Sequence, residues 1–294
     1  MSQWDGKSKG TVLGYKIFVF FIKKVGIKSA YFILYFVASY YFIFLKKSNA
    51  SIFYYFRKRL GYSYLKSKRM VFKSYYTFGQ TIIDKVAIGA GMKNKFTYEH
   101  DGGEIILKLL EEKKGGVMIS AHIGNFEIAE HFFSEIDVNF QINLVTTDLE
   151  HSTIKNYLES ITQKPTIKFI IINDNMSHIF DINAALARNE LVCFTGDRYF
   201  QGVKSLSENL LEEEALFPAG PFLIASRLKV PVVFVYVMKE PNLHYHLYTR
   251  EAKVKHRDEK ALLKAYTESV EWALQKYPLQ WFNYFDFWNQ LEKK

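Results

Sequence analysis

Beyond residue 100, the chain alternates between short apolar runs and stretches whose apolar positions recur at helical spacing. The apolar runs cover residues 117–121, 142–147, 168–172, 191–195 and 230–237. The helical candidates lie near residues 152–163, 176–189 and 219–228. Short, near-continuous apolar runs indicate strands that are buried on both faces. The alternation therefore predicts an α/β fold with a mostly parallel central sheet that is flanked by helices.

The segments that flank this alternating region add further elements. Residues 244–250 alternate polar and apolar side chains, which predicts an edge strand, and residues 258–276 have the spacing of a long amphipathic helix. The glycine-containing segment 89–91 is the best candidate for a boundary between regions. We therefore expect a basic, aromatic helical region over residues 1–91 and an α/β domain over residues 92–294.

The front of the chain combines an uncharged aromatic run with a strong positive charge. The run covers residues 30–45 and is bounded by Lys28 and by Lys46 and Lys47. Residues 1–95 hold 18 Lys and Arg but only two acids, whereas acids outnumber bases in the remainder. The run is slightly shorter than the ~20 residues that cross a bilayer upright, so it either spans with the help of its flanking lysines or lies in one leaflet. Apolar area beside basic side chains indicates attachment to an anionic membrane surface.

Three other kinds of segment can also be basic and apolar, and only the first of them stays open here. A buried core helix with a solvated lysine face fits the same pattern and stays open. A secretory signal peptide would need a small-residue cleavage site, but the run ends in Lys46 and Lys47. Basic aromatic segments also bind nucleic acid, yet no nucleic-acid motif accompanies Arg57, Lys58 and Arg59. We expect a membrane surface, and no nucleic acid, as the partner of this region.

Composition limits the classes of protein to which the chain can belong. With 49% hydrophobic and 17% aromatic residues it can bury a large core, which excludes a disordered protein. Its one cysteine, Cys193, lies in a buried-strand pattern, so neither a disulfide scaffold nor a cysteine metal cluster is possible within one chain. No pair of His residues has metal-ligand spacing on a helix, since His244 and His246 would share one face of a strand. We expect no metal ion.

The most informative position is His122, which follows a glycine-led apolar run and precedes an acid, Glu127, by five residues. The run predicts a buried strand and residues 126–133 a helix, so His122 falls at a strand-to-helix turn, where the chemistry of α/β sheets collects. On one continuous helix the two side chains would lie about 140° apart, but across a turn opened by Gly124 they can meet. An imidazole that is held by a carboxylate can take a proton from a hydroxyl group. The pattern predicts a general base, against the alternative of a structural His.

Four motifs of the chain resemble one known family. The sequence Ala-His-Ile-Gly-Asn-Phe-Glu at residues 121–127 is similar to the His-x4-acid signature of the bacterial lipid A biosynthesis acyltransferases, the late acyltransferase branch of the lysophospholipid acyltransferase superfamily. Gly-Asp-Arg at residues 196–198 resembles the family's second acidic element, which follows a strand. The segment 217–225, which begins Phe-Pro-Ala-Gly, resembles its glycine-led helix, and the segment 277–282 resembles its C-terminal Pro-x-Gln-Trp element. The resemblance extends over most of the chain beyond about residue 10.

The resemblance implies a fold, an activity and a location. It implies a glycerolphosphate-acyltransferase-like fold and an O-acyltransferase that moves a fatty-acyl chain from an acyl thioester to a hydroxyl of a lipid acceptor. In that family the His is the general base and the acid is its partner, which assigns these catalytic roles to His122 and Glu127. The resemblance implies no cofactor, because acyl-carrier protein or coenzyme A brings the thioester as a co-substrate. It also implies a location on the cytoplasmic face of the bacterial inner membrane.

Five further residues are candidates for substrate binding, namely Gly124, Asn125, Asp197, Arg198 and Gly220. Asp197 and Arg198 should emerge on the same sheet edge as His122, and the resemblance marks this position. We expect Arg198 to contact an anionic acceptor group and Asp197 to support the site, against the alternative of a surface turn. Gly220 either exposes the backbone donors at the start of a helix to an oxyanion or forms an ordinary turn. Asn125 either offers a side-chain donor or caps the following helix.

Two departures from the family pattern leave the acceptor open. The lipid A enzymes follow the Pro-x-Gln-Trp element with a His and a basic residue, whereas this chain continues with Phe-Asn-Tyr-Phe from residue 282. Glycerol-phosphate acyltransferases carry Phe-Pro-Glu-Gly where this chain has Phe-Pro-Ala-Gly at residues 217–220. The acceptor is therefore a lipid A precursor or a related lipid, such as those of aryl polyene or flexirubin pathways. An inactive membrane scaffold and a hydrolase that uses water are the alternatives to a transferase.

Overall fold

The computed structural model describes residues 12–129, 141–146, 167–173, 175–199 and 203–288 of the chain. Its helices are α1 (Val12–Lys24), α2 (Ile27–Phe44), α3 (Lys46–Tyr54), α4 (Tyr64–Ala87), α5 (Gly103–Glu111), α6 (His178–Ala187), α7 (Ala219–Arg227) and α8 (Glu259–Lys276). Its strands are β1 (Thr97–Asp101), β2 (Gly116–Ser120), β3 (Ile142–Thr146), β4 (Ile167–Ile171), β5 (Leu191–Thr195), β6 (Ser205–Leu210), β7 (Glu213–Pro218), β8 (Val232–Glu240) and β9 (His244–Glu251). The helix predicted near residues 152–163 lies outside the described residues.

The central sheet has seven strands in the order β1-β9-β8-β2-β5-β3-β4, and β6 and β7 form a separate hairpin. Neighbouring strands of the central sheet run parallel except β8 and β9, which pair antiparallel. Strand β2 is buried over its whole length, as expected for a parallel strand with a packed layer on each face. The predicted α/β fold with a mostly parallel sheet is confirmed. Because β2, β5 and β8 run in the same direction, their carboxyl ends meet at one edge of the sheet.

The prediction of an edge strand over residues 244–250 is wrong. Strand β9 lies inside the sheet, because β1 pairs with its outer side. Strand β1 has the polar sequence Thr-Tyr-Glu-His-Asp and is partly exposed, so hydrophobic periodicity gives no signal for it. The hairpin β6–β7 was also not predicted. Its turn is formed by Leu211 and Glu212 at φ 53° and 65°, without the Gly or Asn that usually marks such a turn.

Helices α2 and α4 pack along each other beside the sheet. The buried positions of α2 are Ile27, Ala30, Leu34 and Ala38, whose spacing of three to four residues places them on one face of the helix. The contact is close at Gly79 of α4, where a Cβ atom would lie 2.2 Å from Cδ1 of Leu34. A glycine at this position therefore allows the two helix backbones to approach each other.

The opposite face of α2 is exposed and mostly aromatic. The large side chains of α2 that are more than half exposed are Phe32, Tyr35, Phe36, Tyr40, Ile43 and Phe44. Of these, the Tyr35 ring also contacts Phe72 and Tyr76 of α4 at the margin of the exposed face. Among the described residues, α2 is the one helix that is long and apolar enough to cross a membrane, by length and composition only, and 22% of its residues are buried. The alternative of a buried core helix therefore describes only one face of α2.

The hydrophobic core lies on both faces of the sheet, and α4 contributes to both layers. Val117 of β2 belongs to the same cluster as Val71 of α4, whereas Met118 belongs to the other cluster with Ile83 of α4. Alternate residues of a strand point to opposite faces, which explains this division. After α4 the chain kinks in a π-helical turn, where Gly91 has φ 89°. Because α4 shares its core with the sheet, it can position residues at the sheet's carboxyl edge.

Candidate active site

His122 and Asp197 follow neighbouring strands at the carboxyl edge of the sheet. The pairing of β2 with β5 aligns Ser120 with Thr195, so the residues two positions beyond each strand lie side by side. His122 Nδ1 lies 2.7 Å from Asp197 Oδ1, and the backbone N–H of His122 donates to Asp197 Oδ2 at 2.9 Å. The side chain of His122 is 27% exposed, whereas that of Asp197 is 1% exposed. The imidazole can therefore meet a substrate while the carboxylate holds it from below.

Asp197 is a buried carboxylate that accepts several hydrogen bonds. Besides the two donors of His122, its Oδ2 atom accepts from Asn283 Nδ2 at 2.7 Å and from Trp281 Nε1 at 3.2 Å. Burial by itself raises the pKa of Asp197, but the charge and hydrogen bonds of His122, together with the charge of Arg198, lower this pKa to about 2. The carboxylate is therefore ionised at neutral pH. An ionised carboxylate only accepts hydrogen bonds, so the proton between the two groups belongs to Nδ1 of His122.

The turn that carries His122 is built around Gly124. Gly124 has φ 68°, and a Cβ atom there would lie 2.2 Å from Val237 O, so both the backbone conformation and the close approach require glycine. The N–H of Gly124 donates to Gln280 O at 2.9 Å, and the N–H of Asn125 donates to Val237 O at 2.7 Å. Strand β8 and the segment around Gln280 thus hold the turn in place.

The C-terminal segment 280–283 runs beside this turn. Ile123 forms an antiparallel bridge with Trp281, and the N–H of Phe282 donates to His122 O at 2.8 Å. The same segment supplies the donors of Trp281 and Asn283 to Asp197. The Pro-x-Gln-Trp element is recognisable in the sequence by its resemblance to the family, but no role for Trp281 or Asn283 follows from that resemblance. These contacts join residues that are 84 and 86 positions apart, which no local pattern reveals.

Arg198 is held by the same C-terminal segment. Its Nε atom donates to Asn283 Oδ1 at 3.0 Å, and its Nη2 atom donates to Phe282 O at 3.3 Å. Asn283 therefore bridges Arg198 and Asp197, with its amide oxygen facing one and its amide nitrogen facing the other. The guanidinium group is half-buried and fixed at the edge of the sheet. Its predicted contact with an anionic acceptor group stays a prediction.

The side chain of Asn125 is turned into the protein core. It is 8% exposed, and its Nδ2 atom donates to the carbonyl oxygen of Thr81 on α4 at 2.9 Å. It makes no capping hydrogen bond to the 3₁₀ turn Phe126–Ile128 that follows. The contact with Thr81 shows that Asn125 joins the turn to α4.

Gly220 lies in the first turn of α7, directly after the N-cap residue Pro218 and Ala219. A Cβ atom at Gly220 would meet open space. The Phe222 ring of the same helix packs closely against Gly196, the residue before Asp197. A Cβ atom at Gly196 would lie 3.1 Å from this ring. The absence of a side chain at Gly196 thus lets α7 lie close to the backbone that carries Asp197.

The side chain of Glu127 lies outside the described residues, and its backbone belongs to the 3₁₀ turn. Its predicted role as the partner of His122 therefore stays a prediction. The carboxylate that the structure places on Nδ1 is that of Asp197. The sequence predicts a supporting role for Asp197 at this edge. The structure shows that Asp197 bonds the imidazole directly, because β2 pairs with β5.

Other reactive groups near the sheet are less suited to chemistry. Within the described ranges, no group of three or more His, Cys, Asp or Glu side chains is placed to hold a metal ion. The thiol of Cys193 is buried, and burial raises its pKa. The hydroxyl of Ser120 is buried and donates to Val235 O at 2.8 Å. The arrangement at this edge therefore favours proton transfer by His122 over nucleophilic attack by either side chain.

A comparison with protein families identifies the family of the chain. The family model described as bacterial lipid A biosynthesis acyltransferase matches residues 7–289, which include the turn at His122, the segment that contains Asp197 and Arg198, and the C-terminal segment 280–283. No single curated protein matches the chain significantly. The family match covers nearly the whole chain. The chain therefore belongs to the bacterial lipid A biosynthesis acyltransferase family, whose members are membrane-associated acyltransferases that act on lipid.

Proposed function

We propose that the chain moves a fatty-acyl chain from an acyl thioester to a hydroxyl of a lipid acceptor, with His122 as the general base. The observation that carries this proposal is the 2.7 Å contact between His122 Nδ1 and the buried carboxylate of Asp197. An imidazole that is oriented by a buried carboxylate is an established means of activating a hydroxyl group for acyl transfer. The family membership supports the same activity.

The proposed reaction proceeds through one tetrahedral intermediate. Asp197 keeps the proton on Nδ1, so Nε2 of His122 takes the proton of the acceptor hydroxyl while the hydroxyl oxygen bonds to the thioester carbonyl carbon. The negative charge moves to the carbonyl oxygen. When the intermediate collapses, the carbon–sulfur bond breaks and the imidazolium returns its proton to the leaving thiolate. The products are an ester and a thiol, and no covalent acyl-enzyme forms.

Three further residues have proposed roles in charge stabilisation. Arg198, which Asn283 and Phe282 hold in place, binds an anionic group of the acceptor. Glu127 stabilises the imidazolium that forms on His122. The backbone donors in the first turn of α7, at Gly220, stabilise the oxyanion.

Gly124 and Asn125 act on the substrate through the shape of the turn. Their backbone N–H groups donate to Gln280 O and Val237 O, and the Asn125 side chain donates to Thr81 O. These groups are engaged within the protein, so we assign both residues to holding His122 in place. This proposal differs from the sequence-based expectation of direct substrate contact.

The proposed donor is the thioester of acyl-carrier protein or of coenzyme A. Both carriers bring their own pantetheine thiol, so the enzyme itself needs no cofactor for this reaction. A carrier protein of acidic character would be attracted by the exposed basic side chains between the end of α3 and the first two turns of α4. These side chains are Arg57, Lys58, Lys66, Lys68 and Arg69.

The proposed location is the cytoplasmic face of the bacterial inner membrane. The exposed aromatic face of α2 supplies apolar area, and the basic side chains of α4 supply attraction to anionic lipid headgroups. The buried face of α2 packs on α4, which carries five Lys and Arg residues, four of them within its first ten residues. Because α4 could not follow α2 through the hydrocarbon core without burying these charges, we propose that α2 lies in one leaflet.

The proposed acceptor is a lipid A precursor or a related lipid. One observation favours a different lipid as a second candidate, such as one of an aryl polyene or flexirubin pathway. Asn283 stands just after the Pro-x-Gln-Trp element and binds both Asp197 and Arg198, where the lipid A enzymes have a different pair of side chains. We propose that this difference changes how Arg198 binds the acceptor.

The test follows a labelled acyl chain from acyl-carrier protein, and separately from coenzyme A, in membranes that contain the full-length protein and a bacterial lipid extract. We expect the label in a lipid ester, and mass spectrometry of that ester identifies the acceptor. Label in free fatty acid would identify a hydrolase. No release of label from either donor, by folded protein, would instead support an inactive membrane scaffold.

A further inference from the structure

A buried ion pair lies beneath the turn that carries His122. Nζ of Lys239, on β8, lies 2.6 Å from Oδ2 of Asp84, on α4, and the two side chains are 8% and 0% exposed. Tyr245 OH donates to the same carboxylate oxygen at 2.5 Å, and Tyr31 OH donates to the other oxygen. Burial, and then the charge of Asp84, raise the pKa of Tyr245 well above its usual value. Its hydroxyl therefore stays protonated and remains a donor.

Stability alone does not explain such a pair. Taking two charges out of water is costly, and apolar residues of similar volume are often at least as stabilising. Breaking the pair on one side is different, because it leaves an uncompensated charge in the core. The specific role of the pair therefore follows from the structural elements that it joins, namely α4, β8 and the turn that carries His122.

Lys239 is connected to the His122 turn through Gln280. The N–H of Lys239 donates to Gln280 Oε1 at 2.9 Å, and its carbonyl oxygen accepts from Gln280 Nε2 at 2.7 Å. The carbonyl oxygen of Gln280 accepts in turn from the N–H of Gly124 at 2.9 Å. The ion pair is thus joined to the residue two positions after His122.

Asp84 is connected to the same turn along α4 and through Tyr245. Asn125 Nδ2 donates at 2.9 Å to the carbonyl oxygen of Thr81, which lies one helical turn before Asp84. The same Nδ2 atom lies 3.5 Å from Tyr245 OH. The two members of the ion pair therefore hold the turn at two successive residues, Gly124 and Asn125.

We propose that Asp84 and Lys239 are positioning residues that lock residues 122–125, and with them the imidazole of His122, in the geometry required for proton transfer. The expected effect on turnover rests on the proposed acyl transfer. A displacement of 1 Å at a catalytic group can cost about 100-fold in rate, so loss of the lock lowers kcat and leaves KM little changed. Through Tyr31 the same lock includes α2.

The test combines Asp84→Asn with Lys239→Met in the full-length protein, which removes both charges while keeping the side-chain shapes. Lys239→Met alone leaves a buried carboxylate without its counter-charge, and we expect a clear drop in Tm. In the double variant we expect Tm to return toward the wild-type value while kcat stays about 10- to 100-fold lower. Hydrogen exchange at the amides of Gly124 and Asn125 should become faster, because their acceptors are held less firmly.

A matched control removes another ion pair from the opposite end of the sheet. Arg188 Nε and Glu190 Oε1 lie 2.8 Å apart just before β5 begins, so Arg188→Met with Glu190→Gln should leave kcat and exchange in the turn unchanged. A folded Asp84→Asn, Lys239→Met protein with wild-type kcat and wild-type exchange would overturn the proposal. An equal loss of kcat in the control would overturn it as well.

Tyr245→Phe is a milder variant in case the double variant does not fold. It removes one hydroxyl that donates to Asp84 and faces Asn125, and we expect faster exchange at Asn125 with a smaller loss of kcat. Unchanged exchange and kcat would contradict the proposal. Hydrogen exchange is measured without substrate, so it tests the positioning role even if the wild-type protein transfers no acyl chain. Absence of acyl transfer by the wild-type protein would refute the proposed function but not the positioning role.

Discussion

His122 Nδ1 and Asp197 Oδ1 lie 2.7 Å apart although the two residues are separated by 75 positions in the sequence. The contact exists because β2 and β5 are neighbouring parallel strands and each residue stands two positions beyond the end of its strand. Asp197 is buried and ionised, and Trp281 and Asn283 hold it in place. A fixed carboxylate of this kind decides which ring nitrogen of His122 carries the proton.

The roles of Asp197 and Glu127 are separated by two conservative variants. Asp197→Asn should lower kcat by about 10²–10⁴-fold, because an amide no longer enforces the Nδ1–H tautomer or stabilises the imidazolium. Glu127→Gln should cause a smaller loss, since Asp197 continues to orient the ring. Acyl-transfer rates of both folded variants provide the measurement. A larger loss in Glu127→Gln than in Asp197→Asn would return the role of the imidazole partner to Glu127.

The depressed pKa of Asp197 predicts a specific loss of stability in acid. In the folded protein this pKa is about 2, below the ordinary value of 3.8, so the carboxylate stabilises the fold above pH 3.8 and this contribution is lost as the pH falls toward 2. A difference of this size corresponds to about 2 kcal/mol in the free energy of unfolding. Denaturant unfolding at pH 5.5 and pH 2.5 measures it. Between these two pH values, the free energy of unfolding of the Asp197→Asn variant should fall by about 2 kcal/mol less than that of the wild-type protein. An equal fall in both proteins would contradict the depressed pKa of Asp197.

The conformation of Gly124 predicts that even a methyl group is not tolerated there. Gly124→Ala places a residue with a Cβ atom at φ 68° and 2.2 Å from Val237 O, so it should lower the free energy of unfolding by more than about 1 kcal/mol. It should also lower kcat, because the turn that carries His122 must shift. Gly220→Ala is the stability control, since a Cβ atom there meets open space. Equal stability of Gly124→Ala and the wild-type protein would show that the turn adjusts without strain.

The exposed face of α2 predicts how the protein binds a membrane. Replacing Phe32, Phe36 and Phe44 by Ser removes three exposed aromatic side chains, and each buried aromatic contributes about 1.5–3 kcal/mol. Vesicle binding should therefore weaken by about 100-fold or more. Phe180→Ser, at the exposed Phe of α6, is the control and should have little effect. Unchanged binding to vesicles that contain anionic lipid would remove α2 from the membrane interface.

Much of the sheet could be predicted from the sequence because its inner strands are continuous apolar runs. Strands β2, β3, β4, β5 and β8 coincide closely with such runs. Strand β1 could not be predicted, since its polar residues are ordered by pairing with β9 rather than by burial. Because β1 pairs with β9, β9 lies inside the sheet and not at its edge. This pairing joins residues about 150 positions apart, so no local pattern predicts it.

The candidate site could be predicted only in part. The position of His122 follows from a strand, a glycine turn and the start of a helix, which are all local features. The bond from His122 to Asp197 depends on strand order, and the donors from Trp281 and Asn283 depend on how the C-terminal segment folds back over the turn. Sequence periodicity carries neither kind of information, so the structure was needed to show which side chains meet.

The most direct test of the proposed mechanism compares His122→Ala with His256→Ala. His122 bonds the buried carboxylate of Asp197, whereas His256 is exposed and faces the carbonyl oxygen of Arg227. The measurement is the rate at which each full-length variant, with wild-type Tm and wild-type vesicle binding, transfers a labelled acyl chain to lipid. The mechanism predicts a loss of about 10²–10⁴-fold for His122→Ala and a normal rate for His256→Ala. A near-normal rate for folded His122→Ala would contradict it.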